Sequence, residues 1–186
     1  MRIRNKALLK LGSACAILFW FSAAVAQSYT CEKQPNSDCR NADLRGANLQ
    51  FAQLYESNFE GANLEKANLQ NAFLYNSILQ GANLQGANLM SASLSHAILK
   101  RANLKQANLY HANLLSADLE GADLQGANMV RTNLKGAIFT GANLTSANLK
   151  GANLEDADLQ DANLQGANFE GANTENCKGC PSPPSH

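Results

Sequence analysis

The sequence predicts an all-β solenoid, and three observations carry that prediction. A five-residue unit, Ala-(Asn/Asp)-Leu-x-x, runs from Asn41 to Thr174 without an insertion. Apolar residues make up 45 % of the chain but are mostly Leu and Ala, and aromatics are only 6 %. A compact core usually mixes Val, Ile, Phe and Leu, so this narrow alphabet points to repetition. The third observation is the period itself. On an α-helix five residues advance about 500°, a net 140°, and the Leu would spiral around the axis. On a flat strand five is odd, and successive Leu would alternate between faces. A path that turns a corner every five residues brings each Leu, and the Ala two before it, to the same inside. Stacked coils of such a path cover one another's apolar edges.

In chain order, residues 1–26 read as a signal peptide. Arg2, Arg4, Lys6 and Lys10 form a basic start, Leu11 to Phe21 an apolar stretch, and Ala24-Val25-Ala26 a small-x-small cleavage site before Gln27. The apolar run is short of the roughly 20 residues that span a bilayer comfortably. An uncleaved anchor is the alternative, and a lipoprotein reading through Cys15 is weaker, because cleavage there leaves almost no apolar stretch. Cleavage would remove four of the 15 basic residues and none of the 15 acidic ones, leaving a net charge of −4. Such a weak and mixed charge argues against nucleic acid or an anionic membrane as partner. The expected product is exported, periplasmic or extracellular, with no stable membrane anchor once the leader is gone. Lys100-Arg101, with Lys105 nearby, reads as solvated surface.

Residues 27–40 form an N-terminal cap segment with a Cys pair, and residues 41–174 are the repeats. The central position runs from Leu44 to Phe169 in steps of five and departs from Leu only at Phe59, Met129, Phe139 and Phe169. The position two before it is Ala except at Ser57, Ser77 and Thr132. Each buried Leu contributes roughly 1.5–3 kcal/mol, and Ala lets the backbone turn tightly beside it. Asn or Asp between them can bond neighbouring backbone and tolerates corner dihedrals. Gly at the fifth place, as at Gly46, Gly61, Gly81 and Gly86, relieves a corner. Residues 175–186 close the chain with Cys177-Lys178-Gly179-Cys180 and a Pro/Ser tail.

Units such as Ala62-Asn63-Leu64-Glu65-Lys66 and Ala82-Asn83-Leu84-Gln85-Gly86, recurring in one phase, resemble the pentapeptide-repeat family. The resemblance implies a right-handed quadrilateral β-helix with four units per coil; period five alone does not. It then implies about six and a half coils, a rod roughly 30 Å long at a coil spacing of about 4.8 Å. Relatives that inhibit DNA gyrase mimic DNA through an acidic surface in the cytoplasm. This chain departs from them, since its acids are scattered and its leader predicts export. The tail Pro181-Ser182-Pro183-Pro184-Ser185-His186 also cannot form the dimerisation helix of some relatives.

Little in the sequence reads as chemistry. No G-x-S-x-G, P-loop or H-E-x-x-H is present. His96 and His111 fall on outward corners and His186 in the tail, so no catalytic, cofactor or metal residue is assigned. With Cys15 lost, Cys31, Cys39, Cys177 and Cys180 remain, an even count that favours disulfides in an oxidising compartment. A 30 Å rod separates the two pairs, whereas a disulfide needs Cα atoms within about 7 Å. The expected bonds are therefore Cys31–Cys39 and Cys177–Cys180, each stapling a cap over a coil end. A redox or metal site at Cys177/Cys180 is the competing reading, weakened by the absence of a strand–helix setting.

The outward Asn/Asp position becomes apolar at Phe73, Ile78, Ile98 and Ile138. In a 20-residue coil the three Ile share one face, interrupted by Asp118, and Tyr55 and Tyr75 align on the adjoining one. This strip is the candidate protein-contact surface; β-branched residues that merely suit stacked strands are the plainer alternative. The functional expectation is an exported, non-enzymatic scaffold or protein-interaction module, binding an unidentified protein or itself. The alternatives are a protein acting through Cys177/Cys180 and, less favoured, a nucleic-acid mimic.

Overall fold

The structure, a computed structural model, describes Cys31 and residues 34–181. The leader at 1–26 and the tail from residue 182, with His186, lie outside the described residues. The repeats wind into a four-sided coil: each bridge is parallel and joins a residue to the one 20 positions on, from Asp38↔Asn58 to Asp158↔Lys178. Four outward columns result, one per face. The first face carries Asp43, Asn63, Asn83, Asn103, Asp123, Asn143 and Asn163, and the second Asn48 through Asn168. The third runs from Gln53 through Phe73 and Ser93 to Asn173, and the fourth from Asp38 through Ile78, Ile98 and Ile138 to Lys178.

One unit, Ala102 to Gln106, explains why this motif makes this coil. The Asn103 N–H donates down to Ala82 O at 2.9 Å, and the Leu104 N–H donates up to Asp123 O at 2.7 Å. The Lys105 N–H has no backbone acceptor and is satisfied at 3.2 Å by the Oδ1 of Asn103. The Gln106 N–H donates to Gln125 O at 2.9 Å, and the Ala107 N–H closes the corner on Leu104 O at 3.0 Å. Five residues thus place all five donors, one of them on the Asn side chain.

The corner demands more than the glycines suggested. Every fifth residue from Asn36 to Asn176 has a positive φ, between 53° and 69°. Positive φ at the third residue only, with the closing bond above, is the pattern of a type II turn. Eighteen of these corner residues are not Gly, and they include Phe51, His96, Arg101 and Arg131. Left-handed backbone costs a non-Gly residue about 1–2 kcal/mol, and from Asn36 to Asp156 the bond from each corner N–H to the coil above offsets that cost.

Inside, the Leu and Ala columns from Leu54 to Leu159 are almost wholly buried. The three departures from Ala bury hydroxyls, and each is satisfied. Ser77 donates to Leu74 O at 2.6 Å, Thr132 to Leu109 O at 2.8 Å, and Ser57 accepts from the Ser37 N–H at 3.0 Å.

The two ends differ. At the N-terminus Cys39, fully buried, takes the first interior place of the fourth face and is bonded to Cys31, with Cα atoms 4.6 Å apart. At the C-terminus Cys177 is bonded to Cys180, with Cα atoms 5.7 Å apart. Gly179 occupies the interior place above Leu159, where a Cβ would lie 2.7 Å from the Leu159 carbonyl carbon. The C-terminal segment was expected to cover its end, but its described part bridges only the fourth face, through Asp158↔Lys178. Ala162, Leu164, Ala167, Phe169 and Ala172 are accordingly only partly buried.

Candidate interaction surface

On the third face, Phe73 and Tyr75 are consecutive outward residues, and the Tyr75 ring stacks on Tyr55 at 4.7 Å and 5°. This separation matches the coil spacing. Partial desolvation of the Tyr75 hydroxyl, with the adjacent Tyr55, raises its pKa above the usual value. The chain turns at Asn76, φ 57°, and Ile78 opens the fourth face immediately beyond. The tyrosine pair and the Ile column therefore flank one corner, built of Glu56, Asn76 and His96. Phe73, Ile78, Ile98 and Ile138 are 36–41 % exposed.

The Ile column has a chemical cost. Elsewhere the outward Asn or Asp accepts from the N–H two residues on, as Asn108 does from Tyr110 at 3.3 Å. Ile78, Ile98 and Ile138 have no acceptor, and among the described residues the N–H of Gln80, Lys100 and Thr140 has no protein partner. The fold loses a hydrogen bond at each and exposes apolar surface instead.

Ion pairs order the ground between the Ile residues. Lys100 reaches Glu120 at 2.7 Å and Asp118 at 3.2 Å, separating Ile98 from Ile138. The bond to Glu120, then that to Asp118, raises the Lys100 pKa, and the same contact lowers that of Glu120. Lys105 pairs with Asp123 at 3.1 Å. The solvated basic cluster expected here is thus mostly engaged, with Arg101 exposed at the corner beside it.

Sequence reasoning missed Phe51. It sits at the corner between the second and third faces with φ 59° and is 59 % exposed. The signal was available, since a bulky aromatic stands at the fifth place, where Gly, Asn and Ser recur.

Other groups stay apart. His96 and His111 occupy different corners, the latter edge-on to Tyr110 at 4.4 Å. Among the described residues no cluster of three His, Cys, Asp or Glu side chains could hold a metal ion. No described helix is long and apolar enough to cross a membrane. A groove of about 440 Å³ lies along the corner of the fourth and first faces, lined by Arg40, Asn41, Glu60, Gly61, Gln80, Gly81 and Arg101.

Architecture and surface together define a repeat solenoid whose outward columns vary over a fixed interior. The pattern described as Pentapeptide repeats matches eight times, over residues 35–61, 57–95, 87–126, 97–136 and 137–173, and the chain belongs to that family of right-handed β-helices. Among solved structures it is similar to HetL of Nostoc sp. strain PCC 7120, a pentapeptide repeat protein involved in heterocyst differentiation regulation. Identity is 31 %, coverage 76 % of each chain and TM-score 0.42. It is also similar to a thylakoid-lumen pentapeptide repeat protein of Arabidopsis thaliana, at 27 % identity, covering 67 % of this chain and 74 % of that one, with TM-score 0.41. A third is trypsin-treated QnrB1, a plasmid-mediated fluoroquinolone resistance protein, at 20 % identity, 78 % and 84 % coverage and TM-score 0.43. No curated protein matches the sequence.

Proposed function

We propose that the chain is an exported, non-enzymatic interaction module that docks a protein partner across the corner between its third and fourth faces. The observation that carries this reading is the Ile column. Three times the fold gives up the side-chain acceptor that its own motif supplies, and in exchange it gains only 36–41 % exposed Ile. Stability does not explain that exchange, whereas a contact surface does. The stacked tyrosines and Phe73 extend the surface with aromatic groups of the kind enriched at binding hot spots. Export is supported by the basic start, apolar stretch and Ala24-Val25-Ala26 site.

Capture from the periplasmic and extracellular fractions tests the reading. The parent should retain a specific partner, and Ile98→Asp should lose it while its thermal unfolding stays near the parent's. Equal capture by both would overturn the docking surface. Recovery of an intact 1–26 leader in the mature protein would overturn cleavage.

A further inference from the structure

We propose that the third face carries a one-ring slot over Ser93 and Ser95 that takes a tyrosyl side chain of the docked protein. The inference deepens the docking reading and rests on it. In the outward column Tyr55, Tyr75, Ser95, Leu115 the first two rings stack at 4.7 Å. A third ring at the same spacing would stand over Ser95, where the chain supplies only a hydroxymethyl group. The neighbouring column repeats the gap, since Ser93 stands between Phe73 and Asn113. Among the described rungs this is the one whose two outward residues are both Ser. The gap between Tyr75 and Leu115 spans two coil spacings, about 9.6 Å, which leaves room for one ring in van der Waals contact on both sides.

The rim selects the ring. Asn133 and Asn173 donate their side-chain N–H to the Asn one coil below, at 2.9 and 3.1 Å. Asn113 has Ser93 below it, and its Nδ2, like that of Asn153, has no acceptor among the described residues; Asn113 is the one of the two that borders the Ser pair. The Ser95 N–H lacks one too, because Ser93 replaces the Asn that would supply it. Two unengaged donors and two Ser hydroxyls thus surround an aromatic face, an arrangement that suits a flat ring bearing an oxygen on its edge. A phenol meets both requirements: its face continues the Tyr55–Tyr75 stack and its oxygen accepts from Asn113 or Ser95.

Titration of the full chain with N-acetyl-L-tyrosinamide, followed by amide NMR, tests the slot. Saturable shifts are expected at Tyr75, Ser95 and the Asn113 side-chain amide, with a dissociation constant on the order of millimolar for so small a probe. N-acetyl-L-phenylalaninamide, lacking the acceptor, should bind several-fold more weakly. Ser95→Tyr adds the third ring from within the chain and should weaken the probe by about tenfold or more, the scale of one lost stacking contact. Ser93→Asn restores the amide column and should weaken it as well. Shifts absent from these residues, or unchanged in both variants, would overturn the proposal. So would stronger shifts of the same signals by methyl β-D-glucopyranoside, which would make the site a saccharide platform. Probe binding retained while Ile98→Asp captures as well as the parent sinks the docking reading alone.

Discussion

The second and fourth faces share one backbone, one 20-residue register and an interior built mostly of Leu and Ala, yet their outer surfaces are built to opposite ends. On the second face Asn48, Asn68, Asn88, Asn108, Asn128, Asn148 and Asn168 form an unbroken column. From Asn68 to Asn128 its side chains bond one another, as Asn108 to Asn88 at 3.2 Å and Asn128 to Asn108 at 3.1 Å, while serving the backbone. On the fourth face the same place is held by Asp38, Asn58, Ile78, Ile98, Asp118, Ile138, Asp158 and Lys178, and the column is interrupted. The difference teaches that interior and corners determine the coil, while the outward column can be given up to other uses at a modest cost.

The comparison breaks if that division is wrong, and four measurements probe it in order of expected effect. Interior substitutions should ignore the face. Leu99→Asp behind the fourth and Leu109→Asp behind the second each bury an unpaired carboxylate and should each cost several kcal/mol in denaturant titration. A small loss at either would mean that its interior is softer than the burial implies.

Next in size is Asn108→Ile, which transplants the fourth-face exchange onto the second. It removes the bonds from Tyr110 and Asn128 and the one to Asn88, and should cost about 1–2 kcal/mol. Equal stability of variant and parent would show that the Asn column is ornamental and would remove the argument drawn from the Ile residues. The reverse change, Ile98→Asn, returns an acceptor to the Lys100 N–H. It should stabilise by about 0.5–1 kcal/mol, visible as a small rise in midpoint with unchanged denaturant dependence.

The smallest effect is electrostatic and confined to the first coil. Asp38 and Asp43 are held below the usual carboxylate range, first by hydrogen bonds from the side chains of Arg40 and Arg45. A carboxyl depressed on folding adds stability above its ordinary pKa and loses it as pH falls through the lowered folded value. Acidification should therefore loosen these two rungs, read as lower amide protection factors at Arg40 and Arg45 after the intrinsic slowing of exchange at low pH is divided out, and high salt should mute the change. The adjacent rung of the second face, Asn48 and Gln50, carries no titrating pair and should respond less. Arg45→Gln removes the guanidinium but keeps the backbone N–H bond to Asp43, and should weaken the response at its own rung.

Much of this was legible in the sequence because period five admits so few solutions. The interior columns, the solenoid and the exposure of Ile78, Ile98 and Ile138 follow from where Leu, Ala and Asn recur. The corners were less legible. Gly46 and Gly61 announce positive φ, but Lys66, Arg101 and His111 adopt it equally, because bonding between coils outweighs local preference. The Asn column was expected to bond neighbouring backbone and to tolerate corner dihedrals. Which group it bonds, the N–H two residues on, is visible only with the backbone in place, and that is what gives the Ile substitutions meaning. Lys100 looked solvated because Glu120, its partner, is 20 residues away in sequence. The open Ser93/Ser95 rung escaped notice since a polar residue at an outward place looks ordinary until its neighbours above and below are seen.

The 20-residue register also has a mechanical consequence. Each coil is bound only to the coil above and below it, so the rod has the connectivity of a zipper. Pulled by its two ends, it should yield one coil at a time. Each release converts a rise of about 4.8 Å into about 70 Å of extended chain. Among the described residues the last coil, around Leu164 and Phe169, is only partly buried, and unwinding should begin there. A force–extension trace would then show evenly spaced steps of about 65 Å, a ruler of the repeat written in length.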